Sequence, residues 1–253
     1  MSELQYCEIL KTKINVTNMR DTLSYIDAHL DALRGRYICV SNVHTTVMSY
    51  ENRRYRMIQN GAAMALPDGG PLSKYSRSAG FQNAERVTGP DLMAELFRIS
   101  GQKGYRHFFY GSTQETLDDM RTALQRDYPD MAIAGMYAPP FRALTEEEDR
   151  EVIELINHAG ADFIWVGLGA PKQEEWMYDH QGKLNAVSIG VGAGFDYLAG
   201  HIRRAPRIMQ TLCLEWLYRL VQDPKRLWKR YVTTNAKFIK YIIRERKSSS
   251  YEK

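Results

Sequence analysis

Residues 163–173 read FIWVGLGAPKQ, in which four apolar residues run into a glycine-rich turn that is followed by Pro171. The apolar run predicts a buried strand, and proline suits the first turn of a helix. Four further segments combine Gly or Pro with polar side chains; they are SNVHTT (41–46), LPDGG (66–70), ERVTGPD (85–91) and GVGAGFD (190–196). Because open α/β sheets bind ligands beyond the carboxyl ends of their strands, we expect all five segments along one sheet edge.

Strand and helix patterns alternate along most of the chain. Short apolar runs predict strands over 37–40, 62–66, 107–110, 131–137, 163–166 and 186–189. Amphipathic patterns between them predict helices over 18–33, 90–99, 113–128 and 145–158, and Thr145 with Glu148 forms a capping box at the start of the last one. The alternation indicates an α/β protein with a mainly parallel, Rossmann-like sheet flanked by helices.

The basic character of the chain is a property of its C-terminal part. Residues 201–253 hold 14 Lys and Arg against 4 Asp and Glu, a net charge of +10, whereas residues 1–200 carry −6. An apolar helical face over 208–221 and a helix restarted at Pro224 predict amphipathic helices here. We therefore divide the chain into an α/β catalytic domain, 1–200, and a basic helical appendage, 201–253.

Cysteine content and hydropathy restrict where the protein works. Cys7, Cys39 and Cys213 are widely spaced and form no CxxC pair, so we expect neither a disulfide framework nor a zinc knuckle. No apolar run approaches the ~20 residues that span a bilayer, and residues 1–11 lack the pattern of a secretion signal. We expect a cytoplasmic protein that is neither secreted nor transmembrane and has no nucleic-acid partner.

The five segments, with Ala205-Pro206 and LEWLYRL (214–220), closely resemble the WecG/TagA/CpsF family of glycosyltransferases over nearly the whole chain. The resemblance implies transfer of a hexose or N-acetylhexosamine, such as N-acetylmannosamine, from a UDP-sugar to an undecaprenyl-diphosphate-linked sugar. It also implies inversion and a place in bacterial cell-surface polysaccharide or teichoic acid synthesis. Some teichoic-acid members are expected to have Thr-Pro where this chain has Val40-Ser41, so the donor sugar stays open.

Asp68 and Arg86 are the first two candidate catalytic residues. Asp68 stands in Pro-Asp-Gly-Gly after a predicted strand, where small neighbours let a substrate approach, and the resemblance puts the family's proposed base here. It would take the proton of the acceptor hydroxyl as that oxygen attacks the anomeric carbon of the donor. The Arg86 guanidinium suits the diphosphate of the donor or acceptor. The alternative for Asp68 is an ordinary Pro-Asp-Gly turn without a catalytic role, and the alternative for Arg86 is a solvated surface arginine.

The glycine-rich segments offer further contacts for a substrate. Gly169 lies in the predicted turn between a strand and a helix, so backbone N–H groups of this turn should face the cleft. Gln173 is a third catalytic candidate, because its amide could hydrogen-bond a sugar or a phosphate. A tight turn is the alternative. The segment around Gly192 is no dinucleotide fingerprint, because Phe195 replaces the third glycine. Asp196 fits a contact to ribose or uracil, with a helix cap as its alternative.

Asn42, Thr45 and Thr46 supply hydrogen-bonding groups in the first segment. The Asn42 amide both donates and accepts, which suits a uracil edge or a sugar hydroxyl, and the two threonine hydroxyls stand beside it. Neither HExxH nor a convincing Asp-x-Asp motif is present, so we predict no metal site and no cofactor. Arginines and helix N-termini would then stabilise the leaving-group charge.

The appendage is expected to bring the enzyme to its acceptor. Its aromatic and aliphatic stripe, set among basic residues, is typical of a segment that lies in an anionic membrane interface, here the inner face of the bacterial membrane. Arg219, Arg226 and Arg230 would close over the site and grip the acceptor diphosphate. Packing of these helices on the sheet or on another subunit of a homo-oligomer is the alternative, and oligomer contacts could be exchanged for membrane contacts.

Two other functions fit parts of the pattern. A nucleotide-sugar epimerase or a dinucleotide-dependent oxidoreductase could use a similar sheet, and hydride chemistry with a UDP-sugar alone would favour it. A non-catalytic peripheral membrane adaptor would bind through its basic helices while the α/β part is inert. Binding of UDP near Asp68 and Asp196 would argue against the adaptor.

Overall fold

The computed structural model describes residues 4–211 and 214–251, without the side chains of 207, 211, 226 and 246–251. Its strands are β1 (Tyr6–Ile9), β2 (Thr12–Asn15), β3 (Tyr37–Ser41), β4 (Met64–Pro67), β5 (Arg106–Gly111), β6 (Ala132–Tyr137), β7 (Phe163–Gly167) and β8 (Val187–Gly190). Six of them form one sheet in the order β4-β3-β8-β7-β5-β6, in which every neighbouring pair is parallel. The predicted α/β fold and its six predicted strands are confirmed.

Helices cover both faces of this sheet. The helices of the described residues are α1 (Met19–Ala28), α2 (Leu30–Leu33), α3 (Val43–Glu51), α4 (Arg53–Gly61), α5 (Gly70–Ser78), α6 (Gly89–Lys103), α7 (Gln114–Asp127), α8 (Glu146–His158), α9 (Lys172–Asp179), α10 (Gly194–Leu198), α11 (Arg207–Thr211), α12 (Glu215–Gln222) and α13 (Pro224–Tyr251). The capping box of Thr145 and Glu148 is present at the start of α8, as predicted.

The core has two halves because successive side chains of a strand point to opposite faces. In β7, Phe163 and Trp165 belong to the half that α1, α6, α7 and α10 cover. Ile164 and Val166 belong to the other half, with α4, α8 and α9. A strand that is buried on both faces needs a continuous apolar run, and this is why 163–166 contains no polar residue.

An antiparallel hairpin, β1-β2, lies beside the edge strand β4 and was absent from the sequence prediction. Its two-residue turn places Leu10 and Lys11 at φ angles of 49° and 62°. The Asn15 side chain accepts a hydrogen bond from the N–H of Ala65 in β4 at 2.6 Å. The hairpin thus occupies part of the hydrogen-bonding edge that β4 would otherwise expose.

Two predicted helices are interrupted. The helix predicted over 18–33 ends at Ala28, because the His29 backbone leaves helical geometry with a φ of −124° and a ψ of 19°. The His29 ring stacks on Tyr25 at 4.3 Å, and its Nδ1 donates to the Tyr25 carbonyl at 3.0 Å. The helix predicted over 208–221 is divided into α11 and α12. Leu214 between them has a φ of −100° and a ψ of 11°, and its N–H reaches back five residues to a carbonyl at 2.8 Å.

The long C-terminal helix α13 packs one face against α3. Phe238 is buried there with residues of the hairpin, and the rings of Tyr50 and Tyr241 lie 4.7 Å apart. The Tyr241 hydroxyl donates to Glu51 at 2.6 Å, and Lys237 pairs with the same carboxylate at 2.9 Å. Part of the basic region is therefore anchored on the α/β sheet. Within the described part of the chain, no helix combines the length and hydropathy needed to cross a bilayer.

Candidate active site

The five predicted segments meet at the carboxyl ends of the parallel strands, where they form a cleft of about 470 Å³ together with α12 and α13. The predicted site residues that line the cleft are Asn42, Thr45, Asp68, Arg86, Gly169, Gln173, Gly192, Asp196, Arg219 and Arg230. Thr46 does not line it, because this residue is fully buried and its hydroxyl donates to the carbonyl of Asn42 at 2.8 Å. The side chain of Arg226 lies outside the described residues.

The end of β4 places Asp68 in the cleft. The N–H of Asp68 donates to the carbonyl of Ser41 at 2.7 Å, and the N–H of Val87 donates to the carbonyl of Pro67 at 2.9 Å. These bonds extend the pairing beyond β4 and bring segment 85–88 alongside it. Gly69 then turns the chain into α5 with a φ of 94°, which glycine adopts without strain. Asp68 and Arg86 are thereby brought to the same wall of the cleft.

The environment of Asp68 favours its protonated form. Burial raises the pKa of Asp68 to about 7, and the carboxylates of Glu215 and Asp91 add to the rise, while Arg86 and Arg219 act against it. A general base is most effective when its pKa lies near the working pH, because about half of the groups are then deprotonated and these are still strongly basic. Asp68 meets this condition at neutral pH.

Two carboxylates hold Arg86 in the wall of the cleft. Its Nη1 bonds to Glu215 Oε2 at 2.9 Å, and its Nη2 lies 3.8 Å from Asp91 Oδ2. Asp91 also pairs with Arg204 at 2.7 Å and accepts from the Thr88 hydroxyl at 2.6 Å. The Arg86 and Glu215 side chains are only 19% and 18% exposed, so solvent screens this pair less than a surface pair. The guanidinium is thus fixed in orientation beside Asp68.

Sequence reasoning missed Glu215. It is the first residue of α12, and an acidic residue in the first turn of a helix is usually explained by the helix dipole alone. Its partner Arg86 is 129 residues away in the sequence, so no local pattern connects them. The structure makes Glu215 an acidic group that acts on both Arg86 and Asp68.

Gln173 connects α9 to the loop after β8. Its Oε1 accepts the N–H of Gly192 at 2.9 Å, and its Nε2 donates to Glu174 at 2.8 Å. A Cβ at Gly190 would approach Met177 Cε to 2.8 Å and Gln173 Nε2 to 2.9 Å, so a larger residue there would displace these two side chains. The Gln173 amide therefore shapes the cleft from beneath, and the direct substrate contact predicted for it stays a prediction.

The first segment also uses its polar groups internally. Asn42 Oδ1 accepts the N–H groups of His44 and Thr45 at 3.0 and 3.2 Å, and the Thr45 hydroxyl accepts the N–H of Asn42 at 2.8 Å. This capping box fixes the N-terminus of α3 at the cleft. His44, which sequence analysis gave no role, lies in the cleft with its Nδ1 3.4 Å from the Thr234 hydroxyl. Burial and the charge of Arg230 lower the pKa of His44.

The C-terminal helices supply the remaining wall. Arg219 of α12 lies over the ring of Tyr197 in α10 at 5.4 Å. Arg230 of α13 also lines the cleft. Among residues 4–211 and 214–251, no group of three His, Cys, Asp or Glu side chains could hold a metal ion. The cleft thus places a carboxyl group of raised pKa beside arginines, an arrangement suited to taking a proton from a hydroxyl next to a phosphate.

Known proteins resemble this chain over nearly its whole length. Residues 7–252 match the model of the Glycosyl transferase WecG/TagA/CpsF family. The N-acetylglucosaminyldiphosphoundecaprenol N-acetyl-beta-D-mannosaminyltransferase of Bacillus subtilis (strain 168) is 30% identical over 235 residues, 92% of this chain and 89% of that protein. The protein of the same name from Bacillus spizizenii is 30% identical over 223 residues, 88% of this chain and 84% of the relative.

A third relative with this name, from Staphylococcus aureus (strain MW2), is 31% identical over 192 residues, 76% of this chain and 74% of that protein. The family match includes every segment that forms the cleft and all three C-terminal helices, α11 to α13. The chain belongs to the WecG/TagA/CpsF family and is a glycosyltransferase.

Proposed function

We propose that this glycosyltransferase moves an N-acetylhexosamine, N-acetylmannosamine in the first instance, from a UDP-sugar to N-acetylglucosaminyl-diphospho-undecaprenol. The names of three relatives, each at least 30% identical, support the acceptor and the transferred sugar. The single observation that carries the chemistry is the placement of Asp68, with its pKa raised to about 7, beside Arg86 in one cleft. The polysaccharide would belong to the bacterial cell surface.

The proposed reaction is one displacement. The Asp68 carboxylate takes the proton of the acceptor hydroxyl while that oxygen forms a bond to the anomeric carbon of the donor. The bond from this carbon to the UDP oxygen breaks at the same time, and UDP leaves with the electron pair. Arg86, Arg219 and Arg230 neutralise the diphosphate charge. Attack from the face opposite the leaving group inverts the anomeric centre, and Asp68 then returns its proton to water.

We expect transfer without a divalent ion, because arginines and helix N-termini can neutralise the leaving diphosphate. Excess EDTA should therefore leave the initial rate within about two-fold of the untreated rate, since no charge stabilisation would be removed. The rate would be measured as acceptor-dependent release of UDP before and after chelation. Loss of activity in EDTA and its return with Mg²⁺ or Mn²⁺ would overturn the metal-independent mechanism.

The exposed face of α13 supports a peripheral position at the inner face of the cell membrane. Trp228, Val232, Ile239 and Ile243 are 61%, 48%, 59% and 50% exposed. Their spacings of four, seven and four residues put them on one side of a helix. Exposed Lys225, Lys229 and Lys240 flank this stripe. An apolar stripe with basic flanks suits a helix that lies in an anionic lipid interface.

A panel of UDP-sugars with a short-chain lipid-diphosphate N-acetylglucosamine acceptor tests the proposal. UDP-N-acetylmannosamine should give acceptor-dependent UDP release and a β-linked disaccharide on the lipid. An epimerase would instead change the UDP-sugar without acceptor, and this outcome would refute the proposed transfer. A preference for another UDP-sugar would retain the mechanism and correct the donor.

A further inference from the structure

A chain of buried polar side chains runs beneath the cleft and joins its two walls. It begins at Ser41 in β3, whose hydroxyl donates to Gln59 Oε1 at 2.7 Å, and Gln59 Nε2 donates to the Tyr55 hydroxyl at 3.1 Å. Tyr55 interacts with the carboxyl group of Glu174. Glu174 then accepts from Gln173, whose amide holds the loop after β8. The central member, Glu174, has no part in the mechanism proposed above.

Glu174 is a carboxyl group without exposed surface and without a cation beside it. Its relative exposure is 0%, and its Oε2 has no hydrogen-bond partner among the described residues. The titratable groups that act on it are Tyr55 from α4, Cys39 from β3 and Glu175 from α9 itself, none of which is positively charged. The sequences of β7 and β8, which also pack on α9, contain no titratable residue.

This environment disfavours a charged carboxylate. Burial of an ion without a counter-charge is strongly unfavourable, whereas a carboxylic acid carries no charge. In agreement, burial raises the pKa of Glu174 to about 7. The group is therefore uncharged in slightly acid solution and becomes ionised as the pH rises above neutrality.

We infer that Glu174 is a positioning residue for the donor: its side chain holds the Gln173 amide against the Gly192 N–H and thereby fixes loop 190–194, and its uncharged form does so without a negative charge beneath this loop. This loop lies in the cleft with Asp196, the proposed contact for ribose or uracil. Ionisation would place a negative charge under the loop and weaken the binding of a nucleotide diphosphate. The inference rests on the proposed use of a UDP-sugar.

The test uses UDP as the probe and calorimetry of the full-length protein at pH 6.5 and 8.5. If only the uncharged form binds well and its pKa is about 7, the dissociation constant of the wild type should rise by up to about 25-fold between these two values. Glu174→Gln keeps the hydrogen bonds and cannot ionise, so most of this rise should disappear. UDP and Asp68 also titrate in this range, but they are common to both proteins and cancel in the comparison.

Two further variants separate positioning from folding. Glu174→Leu keeps the volume and leaves Gln173 without its partner, so at both pH values UDP should bind roughly 10-fold more weakly to this variant than to Glu174→Gln, which retains the hydrogen bond. Asp179→Asn, at an exposed position of the same helix, is the control and should match the wild type. The inference is overturned if Glu174→Gln keeps the wild-type pH dependence or if folded Glu174→Leu binds UDP normally. A wild type that does not bind UDP refutes the proposed donor itself.

Discussion

Asp68→Asn should lower kcat by ~10²- to 10⁴-fold, the usual contribution of a general base, and leave UDP affinity nearly unchanged. Asparagine has the same shape but cannot take the proton of the acceptor hydroxyl. The variant should also fold, because an uncharged amide in this half-buried position avoids the cost of desolvating a carboxylate. Turnover would be measured with saturating donor and acceptor, and UDP affinity by calorimetry.

Glu215→Gln is the matched comparison for this experiment. It removes a carboxylate that raises the pKa of Asp68 and retains the base, so activity at high pH should persist. An Asp68→Asn variant within about a factor of two of the wild-type kcat would show that another group takes the proton.

The second large effect should come from the exposed face of α13. Changing Lys225, Lys229 and Lys240 to Glu removes three cations, each worth about 1 kcal/mol near an anionic surface, so vesicle binding should weaken by more than ~100-fold. Transfer to full-length undecaprenyl acceptor in vesicles should fall with it. Transfer to a short-chain soluble acceptor should persist, because these side chains do not line the cleft. Flotation with anionic vesicles at low salt measures the binding.

These substitutions test the membrane proposal better than a truncation at Gly200. Truncation would also remove Leu227 and Phe238, which are 1% and 9% exposed, and so would expose apolar surface on the α/β part. The matched control changes Arg121, Arg150 and Lys183 to Glu, which alters net charge equally at exposed positions on other helices and loops. Two results would contradict the proposal that the exposed face of α13 binds the membrane. One is an equal loss of flotation in both triple variants, and the other is normal flotation of the α13 variant.

The central sheet could be predicted because its signals are local. Apolar runs such as 163–166 are required where both faces of a strand are covered. The capping box of Thr145 and Glu148 likewise marks the start of a helix within four residues of sequence. The hairpin β1-β2 escaped prediction because polar residues interrupt both of its strands, so neither strand is a continuous apolar run. The break at His29 is a change of backbone angles at one residue between α1 and α2, which an amphipathic pattern that continues to Leu33 does not reveal.

The candidate site was predictable to the extent that strand ends meet at one edge. This rule brings Asp68, Arg86 and the glycine loops together without any contact being known. It says nothing about which polar groups serve the fold itself, as Asn42 does by capping α3. The rule also does not predict Glu215, because this residue lies on α12 and reaches the site only when the C-terminal helices fold back over the cleft.

The pH dependence of acceptor kcat/KM, measured at saturating donor, tests most directly whether Asp68 is the base of this transferase. The pKa of Asp68 is raised to about 7, so below that pH the carboxyl is protonated and cannot accept the acceptor's proton. The rate should therefore rise from pH 5 and level off above an apparent pKa near 7, and in Glu215→Gln this rise should move to lower pH. A rate that does not change between pH 5 and 9 would contradict the assignment of Asp68 as the base. So would a rate of Asp68→Asn that rises with pH with the same apparent pKa as that of the wild type.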